Sequence, residues 1–596
     1  MSSRTYSAAT SLTYDQSSPA RWILSHILRY PLLPLAQMVL IIAAVVLGTR
    51  SPIYLGRTLD HVLSPERNPR TLLLLSLAVV GFRLAEAAVD AAQRVAGEFL
   101  SRRVQRDARH ELYASLLGKS LSFHSRQRAG DLITRVSDDT RSLNYMLSPG
   151  LRAMFGWLVG LIVPLAAIGA LSPALLLVPT AAILVLVASA RAHTRRIKPV
   201  ADELRIQLGE LNASLAETLA GIEVVKASAH EGEEKRAFRA RVHRAGELQS
   251  RYGMLQAGYV PSLVRHLTLS AGLMHGLLLY TRGAFSMGTV VAFVSLLNRL
   301  TPPMPTLLGV MVSGLTGAQR ILHVTGDDAG SEQDGHGVSG PVRGEVAFEG
   351  VGFGYDGPHV LKGITFHAQP GETVAIVGPT GSGKTTLTRL INRIYDADEG
   401  RVLVDAVDVR EWDLTALRSQ ISTIEQDVFL FRQTVRENIA FGTGGAASAA
   451  QIEQCAHDAQ AHGFIERLPQ GYDTLLGERG ARLSGGERQR IAIARALLGD
   501  PRILILDDST SAIDSATEDR IQTAIERVRR GRTTFLITHR LSLIRRADRV
   551  LVLRRGELVD QGTHDELIQR CASYRRLFAR RSGRAPLTGG NMEGVR

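Results

Sequence analysis

Apolar residues along the 596-residue chain follow two different rhythms. In the first half they run nearly unbroken for about 20 residues at a time, the length that crosses a bilayer as a helix. Such runs fall near residues 32–55, 71–96, 147–171, 173–192, 260–280 and 287–315. The second and fifth are weakened by Arg83, Arg265 and His266. Only Leu171, Ser172 and Pro173 separate the third from the fourth, which forces a hairpin. Long polar connections near 101–141 and 191–251 keep helical spacing with mixed charge, as at Arg102, Arg106 and Arg109 or Glu231, Lys235 and Arg239. They read as helices that continue well beyond the membrane.

After Arg320 the rhythm changes. Residues 326–342 are polar and glycine-rich, the composition of a linker. Beyond them, short β-type runs at 345–348, 373–377, 503–506, 534–537 and 550–553 alternate with helical stretches. That alternation predicts an α/β domain with a largely parallel core sheet. The predicted organisation is a polar tail over 1–20, an all-α six-helix transmembrane domain over 21–325, a linker over 326–342, an α/β domain over 343–580 and a loose tail over 581–596. Residues 1–20 carry no apolar run of their own, so they do not read as a cleavable signal peptide.

Composition sharpens this picture at two points. A hydrophobic fraction of 45% excludes a disordered chain, and two cysteines, Cys455 and Cys571, cannot build a disulfide framework. The net charge of +13 admits nucleic acid, an anionic surface, or the loop bias of a membrane protein. Its distribution favours the last. Residues 1–320 hold 35 Lys and Arg against 20 Asp and Glu, whereas the remainder holds 35 against 37. Of the first set, 24 lie in the two long connections and in the segment ahead of the first span. The excess of basic residues predicts that tail and connections face the cytoplasm, together with the α/β domain, of a multi-pass protein in the cell membrane. No nucleic-acid partner is then needed to explain the charge.

Chemistry concentrates in the second half. Gly378, Pro379, Thr380, Gly381, Ser382, Gly383, Lys384 and Thr385, followed by Thr386, fit G-x-x-x-x-G-K-[ST] directly after an apolar strand. The glycines let backbone N–H groups wrap phosphates, and the following helix presents its positive end. Lys384 is placed to reach the β- and γ-phosphates of ATP, and the Thr385 hydroxyl to hold Mg2+. Some 120 residues on, an apolar strand ends in Asp507, a carboxylate able to reach the same Mg2+. A third block, Leu483, Ser484, Gly485, Gly486, Glu487, Arg488 and Gln489, opens a helix with exposed N–H groups.

That block resembles the signature motif of ATP-binding cassette (ABC) ATPases. The resemblance implies that Ser484, Gly485 and Gly486 face ATP held by the glycine loop of a second cassette. It also implies roles for scattered residues. Tyr355 resembles the aromatic that stacks on adenine, and Gln426 the glutamine that meets Mg2+ and the attacking water. His539 resembles the switch histidine that senses the γ-phosphate. Residues 509–514, ending in Asp514, resemble the loop that joins two cassettes, and residues 477–480 the loop that touches the transmembrane helices. In the first half, residues 123–140 and 217–238 resemble the two cytoplasmic coupling segments of exporter-type half-transporters. The likeness covers about residues 20–580 and implies a domain-swapped dimer with twelve spans.

One position departs from the family pattern. Its usual residue after Asp507 is Glu, the base that polarises the attacking water; here it is Asp508. The shorter side chain withdraws the carboxylate by about 1 Å, and a misplacement of that size costs on the order of 100-fold in rate. Two readings stand: the weakened half of a heterodimer, or a homodimer working slowly. The function implied is ATP-driven export or flipping of an unidentified substrate, with an importer on the same fold and a non-transporting cassette ATPase as alternatives. Within the spans, Arg83, Arg265, His275, Asn298 and Arg299 are costly to bury, so they line a cavity, snorkel, or pair with one another.

Overall fold

The computed structural model describes residues 14–65, 68–257, 260–300, 306–326, 337–355, 357–445, 447–477, 480, 482–507 and 523–579. It resolves into two compact units, Met1–Leu117 with Arg128–Asp328, and Gly118–Gln127 with Ala329–Arg596.

The first unit is helical. Among the described residues, four of its helices are long and apolar enough to cross a membrane: α2 (Leu32–Leu63), α3 (Pro69–Leu117), α5 (Ala129–Leu171) and α6 (Pro173–Ala220). The hairpin forced at Ser172 is present, with the Ser172 hydroxyl accepting from the Ala174 N–H as the chain turns. Helix α8 (Val260–Thr281) carries the weaker fifth run, and α9 (Met287–Leu297) begins the sixth, with 301–305 outside the described residues. Long charged connections are helical, as their spacing predicts: α3 and α6 run on past their apolar windows, and α7 spans Glu231–Ala257.

Contact between α2 and α9 depends on small residues. A Cβ on Gly56 would collide with the Gly288 carbonyl, so no larger residue allows this approach. Asp60 then clamps the start of α9, accepting from the Gly288 N–H at 2.7 Å and the Ser286 hydroxyl at 2.6 Å. A carboxylate at a helix N-terminus satisfies otherwise orphaned donors.

The intramembrane polar residues are paired. Arg299 donates twice to Glu86, at 2.7 and 2.8 Å, and Arg83 reaches the same carboxylate at 3.3 Å. Arg265 donates to Asn298 at 3.0 Å, and His275 lies 3.2 Å from the Ala174 carbonyl. Glu86 was absent from the sequence reading because an acid amid alanines gives no local sign of a partner 213 residues away.

A short helix, α1 (Pro19–Leu28), precedes the first span and was not anticipated. Ser18 caps it and Pro19 fits its first turn. Trp22 is fully buried, its indole N–H 3.2 Å from Glu111 on α3, and the His26 ring lies 3.0 Å from the same carboxylate. Trp22→Ala removes the largest fully buried side chain and leaves Glu111 short of a donor. It should destabilise the unit by about 3–5 kcal/mol. Thermal unfolding of the detergent-solubilised protein measures this; an unchanged Tm would show that α1 contributes nothing to stability.

The second unit contains two sheets. One is antiparallel, in the order β2 (Leu361–Ala368), β1 (Val346–Phe353), β4 (Glu399–Val404), β5 (Val407–Asp408). The other is largely parallel, in the order β10 (Glu557–Gly562), β9 (Arg549–Arg554), β3 (Thr373–Val377), β8 (Thr533–Ile537), β7 (Ile503–Asp507), β6 (Ile421–Ile424). Among the described strands only β10 runs antiparallel in it. Every residue of β3 and β8 is buried, as expected of strands covered on both faces. A separate apolar core holds a helical layer built from α12 (Val435–Ala440), α13 (Ala449–Asp458) and α14 (Gly485–Leu498), including Ile439, Phe464 and Ile491. Within the span read as a linker, residues 327–336 are outside the described residues. Val338 bridges to Trp412, and Val342 lies in the sheet core.

Candidate functional site

The chemistry gathers at the carboxyl ends of the parallel strands. Strand β3 ends at Val377, and the chain turns through Gly378, Pro379, Thr380, Gly381, Ser382 and Gly383 into α11 (Lys384–Ile391). Gly381 and Gly383 hold φ of +78° and +97°, left-handed values that a side chain would strain. A Cβ on Gly383 would also stand 2.6 Å from Leu361. This backbone is shaped to turn its N–H groups toward a ligand. Lys384 donates to the carbonyls of Gly378 and Pro379, each at 3.0 Å, so its ammonium lies along the loop. Ser382 is buried, and its hydroxyl has no hydrogen-bond partner among the described residues.

Beside this loop stands a second oxygen cluster. Thr385 donates to Asp507 at 2.7 Å, joining the helix start to the end of β7 across 122 residues of sequence. The register explains the meeting. Asp507 pairs with Ile537 on β8, and Ile537 with Ile376 on β3, so the three strand ends are level. His539 follows β8 by two residues and is half-buried. Gln426 follows β6, whose Ile424 pairs with Leu506, and its side chain is exposed. Strand register thus brings Gln426, Asp507 and His539 to the same end of the sheet.

Tyr355 lies just beyond β1, with its hydroxyl 3.0 Å from the Thr386 hydroxyl. Its ring stands edge-on to Phe353 and Tyr395, with centroids 5.0 and 5.2 Å apart. Burial, followed by the neighbouring Tyr355, pushes the Tyr395 phenol above its ordinary pKa. Tyr395 and Phe353 were missed in the sequence. A buried aromatic in a strand or after a helix is an ordinary core signal, and nothing local distinguishes these two.

Ser484, Gly485 and Gly486 belong to the other layer. Ser484 caps α14 in a reciprocal box with Glu487, accepting from its N–H while the Glu487 carboxylate accepts from the Ser484 N–H at 2.8 Å. Arg495, further along α14, donates to the Asn438 and Phe429 carbonyls and to the Asn438 side chain, tying α14 to α12. Burial holds its guanidinium below the usual pKa. Asp508 and Asp514 lie outside the described residues, as do Glu478 and Arg479.

Two family models match the chain: the ABC transporter transmembrane region over residues 35–304 and the ABC transporter over 361–511. It is 33% identical over 578 residues to the uncharacterized ABC transporter ATP-binding protein YfiC of Bacillus subtilis (strain 168), covering 95% of this chain and 94% of that one. The chain belongs to the ABC transporter family. Another relative is the ATP-dependent lipid A-core flippase of Syntrophus aciditrophicus (strain SB), 34% identical over 518 residues and covering 86% of each chain. The fold matches a bacterial Atm1-family ABC exporter with ATP bound, with a TM-score of 0.78 and 29% identity, over 92% of this chain and 98% of that one.

This ABC transporter is of the exporter type, a helical membrane domain fused to an α/β nucleotide-binding domain, and it couples ATP hydrolysis to transmembrane transport. Transporters of this kind work as dimers. The two halves predicted from hydropathy are therefore the two halves of its architecture. No group of three or more His, Cys, Asp or Glu gathers among the described residues, so no all-protein metal cage is present there. The Thr385 and Asp507 oxygens do fit a hard cation that takes its remaining ligands from water and phosphate.

Proposed function

We propose that this chain exports or flips an amphipathic lipid-like substrate across the cell membrane, with its cassette in the cytoplasm. The observation that carries the ATP half of the reading is the Thr385–Asp507 pair beside the glycine loop. ATP is held with its phosphates against the loop N–H groups of residues 378–386 and the Lys384 ammonium, and Tyr355 stacks on the base. Mg2+, held by Thr385 and Asp507 with Gln426 nearby, would neutralise charge building on the β- and γ-phosphates. His539 contacts the γ-phosphate side, and Asp508 accepts the proton of the attacking water. Ser484, Gly485, Gly486 and Asp514 serve the second cassette of the dimer.

Support for a lipid-like substrate comes from the lipid A-core flippase relative and from the polar cluster within the spans. Arg83 and Arg299 share one acid, Glu86, and Arg265 is held by the neutral Asn298, which leaves an excess of cationic groups within the spans, suited to a substrate with an anionic head and apolar tails. Reconstituting the purified chain in vesicles with a fluorescent anionic lipid tests this. ATP should drive lipid movement between leaflets and the lipid should raise ATP turnover. Turnover without lipid movement or stimulation would overturn the substrate class.

A heterodimer is the second reading, and Asp508 carries it. The capped signature helix in this subunit would complete the partner's ATP site, while the site beside Asp508 turns over slowly.

A further inference from the structure

Two buried amides in the membrane unit have hydrogen-bonding capacity that no neighbour uses. Gln37 on α2 is 8% exposed and Gln93 on α3 is 4% exposed. Neither Gln37 Nε2 nor Gln93 Oε1 has a hydrogen-bond partner among the described residues. Leaving such groups unpaired costs stability, and more so within a membrane span. Their place is nevertheless prepared. A Cβ on Gly97 would stand 2.5 Å from Gln37 Nε2, so glycine there lets the amide lie against α3. Asp90 accepts from Gln93 Nε2 at 2.6 Å, which holds the nitrogen and leaves the oxygen as the free end. Gln93 and Gly97 are one turn apart on α3, so both open amide ends belong to one stretch of the α2–α3 seam.

The surroundings are polar as well. Arg94, paired with Asp90 at 2.9 Å, is exposed and gives the seam an edge that a polar group can reach. The same face of α3 continues through Glu98 and Ser101. These meet Ser148 at 3.3 Å and Asn144 at 3.1 Å on α5, which the chain reaches through the short helix α4 (Leu121–Arg126). Gln37 and Gln93 lie where their apolar runs adjoin the N-terminal segment and the first long connection. With those segments in the cytoplasm, this is the depth of the inner-leaflet head groups. Glu86 stands two turns further along the same face of α3, so about 10 Å separates the amides from the Glu86–Arg299 pair.

We propose that Gln37 and Gln93 form a subsite for an uncharged hydroxyl on the polar head of the substrate. The hydroxyl oxygen accepts from Gln37 Nε2, and its proton is donated to Gln93 Oε1. A hydroxyl is suited to the place because it donates and accepts at one atom. The substrate is then a lipid whose head carries hydroxyls, as a sugar or a glycerol does, beside its anionic group. This rests on the reading of lipid transport above and narrows it: the amides select the head, and the arginines select its charge.

The test uses the full-length transporter in vesicles with two fluorescent lipids as probes. Phosphatidylglycerol carries hydroxyls on its head; phosphatidylmethanol has the same charge and none. The parent should move phosphatidylglycerol about 3- to 10-fold faster, the worth of one or two hydrogen bonds. Gln37→Met combined with Gln93→Met keeps the volume and removes both amides. It should bring phosphatidylglycerol down to the rate of phosphatidylmethanol, leave phosphatidylmethanol unchanged, and not lower Tm. Equal rates for the two lipids in the parent would overturn the subsite, and so would a preference that survives the double variant. Equal slowing of both lipids in that variant would overturn it too, by showing that the amides serve helix packing. Movement of neither lipid by the parent, with ATP turnover intact, would instead overturn the lipid reading on which the subsite rests.

Discussion

Lys384→Ala should abolish transport and slow ATP hydrolysis by at least about 100-fold, the cost of removing one preorganised charge from a site where negative charge builds up. The ammonium lies along the glycine loop on two backbone carbonyls at 3.0 Å, so it is held close to where the phosphates would sit. The fold should survive. Lys384 is the first residue of α11 and only half-buried, and alanine is the best helix former. Phosphate release from the purified protein, alongside its Tm, separates the two effects. An unchanged Tm with lost turnover is the expected result; turnover within about tenfold of the parent would remove Lys384 from the phosphate site.

Asp508→Glu should move the rate the other way, raising turnover at the site beside it by about 10- to 100-fold. The extra methylene returns the carboxylate toward the attacking water, while the glycine loop and the Thr385–Asp507 pair are left as they are. The measurement is ATP turnover of the assembled transporter, with Asp508→Asn as the control that removes the base. No rise in the glutamate variant would mean that Asp508 is not a weakened base. Brisk turnover from the parent chain purified alone would remove the heterodimer as well. A rise in a co-purified complex, with the partner's own base left untouched, locates the slow site in this subunit.

Much of this was legible because the relevant physics is local. Crossing a bilayer requires a contiguous apolar run, so α2, α3, α5 and α6 stand out in the sequence. A phosphate cradle requires glycines at fixed spacing ahead of a helix, and the left-handed φ at Gly381 and Gly383 falls where that spacing puts it. The Ser484–Glu487 capping box likewise spans only four residues. Two features read less well. Helix α1 was hidden by a polar Ser-rich approach, and its anchor, Glu111, is 89 residues from Trp22. The antiparallel sheet was not separated from the parallel one, because a β-type run such as 346–353 does not announce its neighbours.

By itself, then, the sequence determined that the chain has a membrane half and a nucleotide-binding half, and where the glycine loop turns into a helix. Tertiary structure decided which distant residues meet. Asp507 reaches Thr385 because β3, β8 and β7 share a register that levels their ends. Glu86 pairs with Arg299 because α3 and the turn after α9 bring together residues 213 positions apart. Tyr395 meets Tyr355 edge-on, although a long stretch of chain separates them, where the turn after α11 comes back to the end of β1. Local backbone requirements leave a mark in neighbouring letters; contacts closed by long loops are selected by packing and register, which no short stretch of chain records.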